Sequence, residues 1–296
     1  MSIKNQQFDF AHGTKNFFLP VEMATLAYIV VTTVYLAVFV SKLETPLIHF
    51  GVRTVVTGMI LLLAWWHNTG QNPVVKMIRY FFPFVLLSFW YPETHYFNNF
   101  IFNNLDPYFV KMDQLWFGCQ PSLEFSRRLP WAWFSELMYF GYFSYYFIFF
   151  GTALWCYFVR PQLVNRAIFL FVGSFYLFYI IFAILPVVGP QFHFAPPLNE
   201  VPDGYVFCKI MRFLQATGEK PTGAFPSSHV GVTFLVVIFV AKNGRELLKY
   251  VLPLFIILIC STVYIKAHYL VDVIGGLAAV AIMYPLMNRL YGKMTK

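Results

Sequence analysis

The chain has 296 residues, of which 59% are hydrophobic, 21% aromatic and only 11% charged. A water-soluble domain carries about a quarter charged residues, so the composition excludes an ordinary soluble fold. The formal net charge of +8 invites a nucleic-acid reading, but the distribution rejects it. The basic residues lie in short connections between apolar runs, with no basic stripe interleaved with stacking aromatics. The expectation is an all-α integral membrane protein forming one domain over 1–296, with no nucleic-acid partner.

Met1 to Pro20 is polar and aromatic and lacks the short apolar core and small-residue cleavage site of a secretory signal, so it is expected to be retained. Eight apolar stretches follow, over 20–42, 48–67, 74–92, 134–158, 165–187, 226–242, 248–265 and 269–290. Each is near the ~20 residues that a bilayer-crossing helix needs. Pro83 predicts a kink in the third. With the N-terminus inside, one side collects twelve basic and three acidic residues, and the other nine and ten. The positive-inside rule then predicts both termini in the cytoplasm. The two long connections, 93–133 and 188–225, would face the periplasm or a lumen, with the cell inner membrane as the expected location. The first contains Asp106, Lys111, Asp113, Trp116, Trp131 and Trp133 and is expected to lie along the interface. The second opens irregularly over Gly189 to Pro197 and continues as an amphipathic helix from Val206 to Ala216, stopped by Gly218. Cys156 and Cys260 fall inside spans. Cys119 and Cys208 fall in the long connections, where a disulfide and two free thiols are both open.

Chemistry concentrates in two stretches. His268 and Asp272 are four apart at the start of the last span, on one helix face. A carboxylate so placed can hold an imidazole in one tautomer, as a catalytic histidine requires. Phe225-Pro226-Ser227-Ser228-His229 reads as a helix start with a serine near the cap, where unpaired backbone N–H groups favour an anion. The topology brings both stretches to one membrane face. Two imidazoles, a carboxylate and a helix-end anion site suggest phosphoryl transfer, one histidine attacking phosphorus and the other protonating the leaving oxygen. A zinc site built from His229, His268, Asp272 and His193 is the competing reading, but no tight His-x-x-x-His pair supports it. No metal or other cofactor is expected. Glu136, at the start of the fourth span, is expected to pair with Arg127 or Arg128. Tyr142, Tyr145 and Tyr146 are expected to pack.

Pro226-Ser227-Ser228-His229 resembles the second signature of the type 2 phosphatidic acid phosphatase superfamily. His268-x-x-x-Asp272 resembles the end of its third, which would begin at Ser261. The resemblance covers Leu185 to Tyr291 by motif. It extends faintly to Phe117-Gly118-Cys119-Gln120-Pro121, which is similar to the branch containing inositol phosphorylceramide synthases. It implies a metal-independent helical membrane enzyme with a family-like core of six helices from residue 74 onward and two additional N-terminal helices over 1–73. By the same resemblance His268 would be the nucleophile, Asp272 its orienter, His229 the general acid and Ser227 part of the phosphate cradle.

The sequence also departs from that pattern. Ser228 replaces a glycine, Thr262 falls where an arginine is expected, and the first signature is unrecognisable. Lys266, Gln191, His193 and Lys220 are the expected phosphate-binding substitutes, with Lys209, Arg212 and the Arg127-Arg128 pair as further sources of positive charge. The expected function is hydrolysis of a lipid-linked phosphate or diphosphate through a phosphohistidine. A phosphotransferase moving a head group such as phosphoinositol onto a lipid alcohol is the alternative within the same chemistry. A non-catalytic lipid transporter is the alternative from another class.

Overall fold

A computed structural model describes residues 17–296 and contains twelve α-helices and, among the described residues, no strand. The helices are α1 (Pro20–Val38), α2 (Pro46–Gly70), α3 (Pro73–Glu93), α4 (Asp106–Phe117), α5 (Pro121–Arg128), α6 (Ala132–Val159), α7 (Val164–Ile184), α8 (Pro190–His193), α9 (Val206–Gly218), α10 (Ser228–Asn243), α11 (Arg245–Tyr264) and α12 (Leu270–Met294). Seven of them are long and apolar enough to cross a membrane. Together with the shorter α10 they coincide with the eight expected stretches. The third span is a single helix with Pro83 inside it.

Lipid does not reward burying one apolar helix against another, so packing rests on close fit and on polar groups satisfied inside the bundle. The helix α7 is central. It packs on α1, α3, α6, α10 and α12, and Ala167 to Phe175 are all buried. Large apolar side chains such as Val30, Leu62, Ile256 and Ile282 remain exposed on the rim, as a lipid-facing surface requires. Close approach depends on missing side chains at two glycines. A Cβ on Gly276 of α12 would lie 2.5 Å from the Ser227 carbonyl oxygen, and one on Gly231 of α10 would lie 2.4 Å from the Phe178 ring. Without those atoms, α10 can sit against both α12 and α7.

Two buried ion pairs tie the N-terminal helices together. Arg79 of α3 grips Glu22 of α1 through two nitrogens, both at 2.6 Å. Arg53 and His49 of α2 both reach Glu93 at the end of α3, at 2.6 Å each. Charges in a bilayer interior are costly unless paired, and these contacts, one of two residues and one of three, hold α1–α3 in one arrangement.

The helix α10 has only 16 residues. The segment before it, including Thr222 to Ala224 and Pro226 to Ser227, is buried in the bundle. Non-helical backbone at such depth is tolerated because protein surrounds it. That segment and the α11–α12 connection place the two chemistry-bearing stretches side by side. The long connections contribute α4 and α5, then the single turn α8 where irregular chain was expected, then α9 as expected.

Replacing Gly276 by alanine is expected to destabilise the protein by about 1–3 kcal/mol, because the atom it meets is backbone and cannot rotate away. Gly58→Ala, whose added methyl meets nothing within 4 Å, should be neutral or slightly stabilising. Thermal unfolding in detergent separates the two.

Candidate active site

The side chains of His229 and His268 meet at the bundle end formed by the start of α10 and the α11–α12 connection. His229 Nδ1 lies 3.3 Å from His268 Nε2. His268 Nδ1 lies 2.8 Å from the Ala224 carbonyl oxygen. A carbonyl only accepts, so Nδ1 of His268 carries the hydrogen. Burial pushes the His268 pKa down from its ordinary value to about 4, which leaves Nε2 unprotonated near neutrality. The 3.3 Å contact is then a hydrogen bond donated by His229 Nδ1 to His268 Nε2. One imidazole offers a free lone pair and the other a proton, and they face each other.

Asp272 stands one turn from His268. Its Oδ2 is 3.5 Å from His268 Nδ1 and accepts the Tyr269 N–H at 2.8 Å. In this state the nearer acceptor for His268 is the Ala224 carbonyl, with the carboxylate behind it. Asp272 Oδ1 is buried without a partner. The Asp272 carbonyl accepts the Ser227 N–H at 3.0 Å, which ties the two stretches together through their backbones.

The cavity between the imidazoles is small, about 10 Å³, no larger than one water needs. Tyr91, Tyr142, Gln191, Glu219, Thr222, Gly223 and Ala224 line it with the two histidines. Of the expected phosphate-binding residues, Gln191 alone reaches it. The Ser227 hydroxyl caps α10 by accepting the Val230 N–H at 3.3 Å, and Ser228 is buried as the first residue of that helix. Lys266 does not line the cavity. It is buried at a positive φ of 64°, and its ammonium donates to the Ser126 hydroxyl on α5, with burial lowering its pKa to about 8. Only its carbonyl serves the site, accepting the Gln191 N–H at 2.8 Å. His193 stacks edge-on to Phe194 away from the cavity wall, and Lys220 is exposed. No group of three His, Cys, Asp or Glu side chains that could hold a metal occurs among the described residues.

Several residues that build the site carry no motif. Asp106 on α4 accepts the Val188 N–H at 2.8 Å, the Gly189 N–H at 2.9 Å and the Tyr269 hydroxyl at 2.9 Å. Asp113, two turns on, accepts the N–H groups of Leu270 and Val271 at 3.1 and 3.0 Å and so caps α12. Burial raises the Asp113 pKa and the two N–H groups pull it back. Glu219 accepts from Gln191 at 2.7 Å, from Tyr142 at 3.2 Å and from Gln215 at 3.3 Å. Tyr142 also packs on the His229 ring, with centroids 4.7 Å apart, and Tyr145 on its other neighbour side at 4.5 Å. From α3, the Tyr91 hydroxyl donates to the Thr222 carbonyl at 3.2 Å, and from the turn that follows it Thr94 and Asn98 reach the Thr222 hydroxyl at 2.9 and 3.1 Å.

One expected pairing is corrected. Glu136 does not meet Arg127 or Arg128. Its carboxylate accepts four N–H groups, from Tyr205 to Cys208, at 2.6–3.3 Å. These are the unpaired donors at the start of α9, where a negative charge is favoured. Both arginines turn to Glu124 on their own helix instead. Of the two states open for Cys119 and Cys208, the structure shows free thiols, with Cys208 buried on α9, which packs on α6.

The family model for the PAP2 superfamily matches residues 109–286, which is well over half of the chain and contains both histidine stretches. The chain belongs to the PAP2 superfamily. The match begins in α4 and leaves α1–α3 outside it. No curated protein and no solved structure matches significantly. Membership supports a phosphatase- or phosphotransferase-type membrane enzyme.

Replacing Asp113 by alanine should strip α12 of its cap, at a cost of about 1 kcal/mol or somewhat more. It should also loosen the connection carrying His268. Lower thermal stability together with a reduced turnover number is expected, whereas Asp113→Asn, which keeps an acceptor, should retain most of both.

Proposed function

We propose that the protein transfers phosphoryl groups from a lipid-linked phosphate through a phosphohistidine, with water as acceptor. The observation that carries this reading is the pair of imidazoles in contact at 3.3 Å, one with a free Nε2 and the other a donor. His268 Nε2 attacks phosphorus in line, the bond to the lipid oxygen breaks, and that oxygen takes a proton from His229, which enters this step as the imidazolium and leaves it neutral. In the second step His229 recovers a proton from water, whose oxygen attacks phosphorus and releases His268. Phosphorus has to enter between the two rings, so substrate binding separates them. Asp272 positions His268 and stabilises the charge it gains. The charge distribution along the chain supports an outward-facing site, in the periplasm or a lumen, of a cell inner membrane protein. The lipid chains would approach from the bilayer.

A second reading within this chemistry replaces water by an alcohol. A polar pocket of about 660 Å³ lies beside the site and shares Gln191 with the small cavity. It offers room for a group larger than water. The opposed imidazoles favour either reading over a non-catalytic transporter, which has no need of a proton donor facing a free nitrogen.

His268→Ala is expected to lower phosphate release from a lipid phosphate panel by on the order of 10³-fold or more. Unchanged release would refute the assignment. His229→Gln should cost about 10²–10⁴-fold with an alkyl leaving group, and far less with an aryl leaving group that departs without a proton.

The pH dependence follows from the lowered pKa of His268. The nucleophile is active when neutral, so its activity is present above the folded pKa and lost as pH falls through it. With an aryl leaving group, which departs without a proton from His229, on a phosphate that does not titrate in this range, kcat/KM should hold from pH 7 to pH 5 and fall only near pH 4. An unperturbed histidine would begin to lose activity below about 6.5.

A further inference from the structure

We propose that Glu219 determines the charge of the phosphate group that the site accepts, selecting a phosphodiester lipid over a phosphomonoester. This rests on the histidine-mediated reading given above and names its substrate class.

Two observations carry the proposal independently. The first is the charge of the cavity. Among the described residues that line it, Glu219 supplies the only charged side chain besides the histidines. The three polar groups bonded to Glu219 are the Gln191 amide, the Gln215 amide and the Tyr142 hydroxyl, and each donates. Three donors converging on one carboxyl serve its ionised form, which only accepts. Burial pushes the Glu219 pKa up, and these same donors pull it back. No cation offsets it within the cavity: Lys266 is engaged with Ser126 and Lys220 is exposed outside. A phosphomonoester brings up to two negative charges against that carboxylate, and a phosphodiester brings one. In a site shielded from water, the additional charge is expected to disfavour the monoester by about tenfold or more.

The second observation is room. A phosphodiester carries a second ester substituent, and the 660 Å³ pocket adjoins the phosphate site where such a group would project. Gln191 lines both spaces, and Gln215 lines the larger one while bonding Glu219 in the smaller. The larger pocket is walled by Tyr139, Asn199, Glu200, Asp203 and Arg212. The Arg212 guanidinium is already held by Asp203 and by the Val201 carbonyl. The wall therefore suits a polar headgroup more than a further anion. Glu219 thus faces the small cavity while bonded to Gln191 and Gln215, which line the larger one, so it repels a bare phosphate on the side where an esterified one has room.

The chemical step keeps its balance. His268 Nε2 forms a bond to phosphorus as the bond to the lipid oxygen breaks, and His229 protonates that oxygen. The headgroup stays on phosphorus, and an acceptor hydroxyl then displaces His268 while giving its proton to His229.

The test uses the full chain in detergent at pH 8, with a phosphatidic-acid-type monoester and the methyl phosphodiester of the same diacylglycerol. The wild-type protein should turn over the diester with at least tenfold higher kcat/KM. Glu219→Gln should shrink that preference about tenfold, mainly by gaining on the monoester. Gln191→Lys, which adds a cation beside the carboxylate, should shift it in the same direction. Competition in the wild-type protein gives a readout independent of any variant: dimethyl phosphate should inhibit more strongly than inorganic phosphate. A wild-type preference for the monoester, or a ratio unmoved within twofold in both variants, would overturn the proposal. His268→Ala is run alongside. Turnover surviving in it, with the Glu219 shift intact, would refute the histidine mechanism while the charge selection stands.

Discussion

The geometry of the site depends on buried carboxylates that accept backbone N–H groups. A helix start leaves several such groups unpaired, and inside a bilayer no water reaches them. Asp113 takes the first two of α12, Asp272 takes the one before them, and Asp106 holds both the Gly189 turn and Tyr269. Removing any one leaves buried donors orphaned next to His268. Glu136 performs the same task for α9 at four N–H groups. The acids on the site side of the bundle are thus largely structural. Their negative charge is spent against helix ends and does not face the cavity, with Glu219 as the exception.

That local use of charge shapes the reactivity of the histidines. Buried among tyrosines and backbone, His268 loses the solvation that would stabilise its charged form, so its neutral form is favoured. The Ala224 carbonyl fixes which nitrogen carries the hydrogen. Asp272 is close enough to stabilise the ring once it gains charge. In the contact between the two rings each satisfies a polar atom of the other.

Much of this was legible in the sequence. The eight apolar stretches became seven long helices and the shorter α10 because length and hydrophobicity dictate such helices directly. His229 and His268 could be brought together because both lie at the starts of spans on the same face. The partners of Glu136 and Lys266 were not legible. Nothing local links Glu136 to residues near 205, or Lys266 to Ser126, so neighbours in sequence stood in for neighbours in space. Asp106 and Asp113 were read only as members of an interfacial connection, since a carboxylate that caps another helix leaves no spacing to recognise. Glu219 passed as one acid in a long loop. Its burial among Tyr142, Gln191 and Gln215 is a property of three separate segments converging.

The contacts made by α3 with Thr222 bear on how this protein could be divided. Tyr91 forms part of the cavity wall, and Thr94 and Asn98 anchor the segment that leads into Ser227. Those residues precede the stretch that matches the PAP2 superfamily. They are held in turn by the ionic ties of α3 to α1 and α2. The family-matching stretch is therefore not a separable module in this chain: its reaction chamber borrows a wall from the helices before it. A chimera that grafts residues 109–286 onto foreign N-terminal helices would inherit both histidines but not the surface that encloses them.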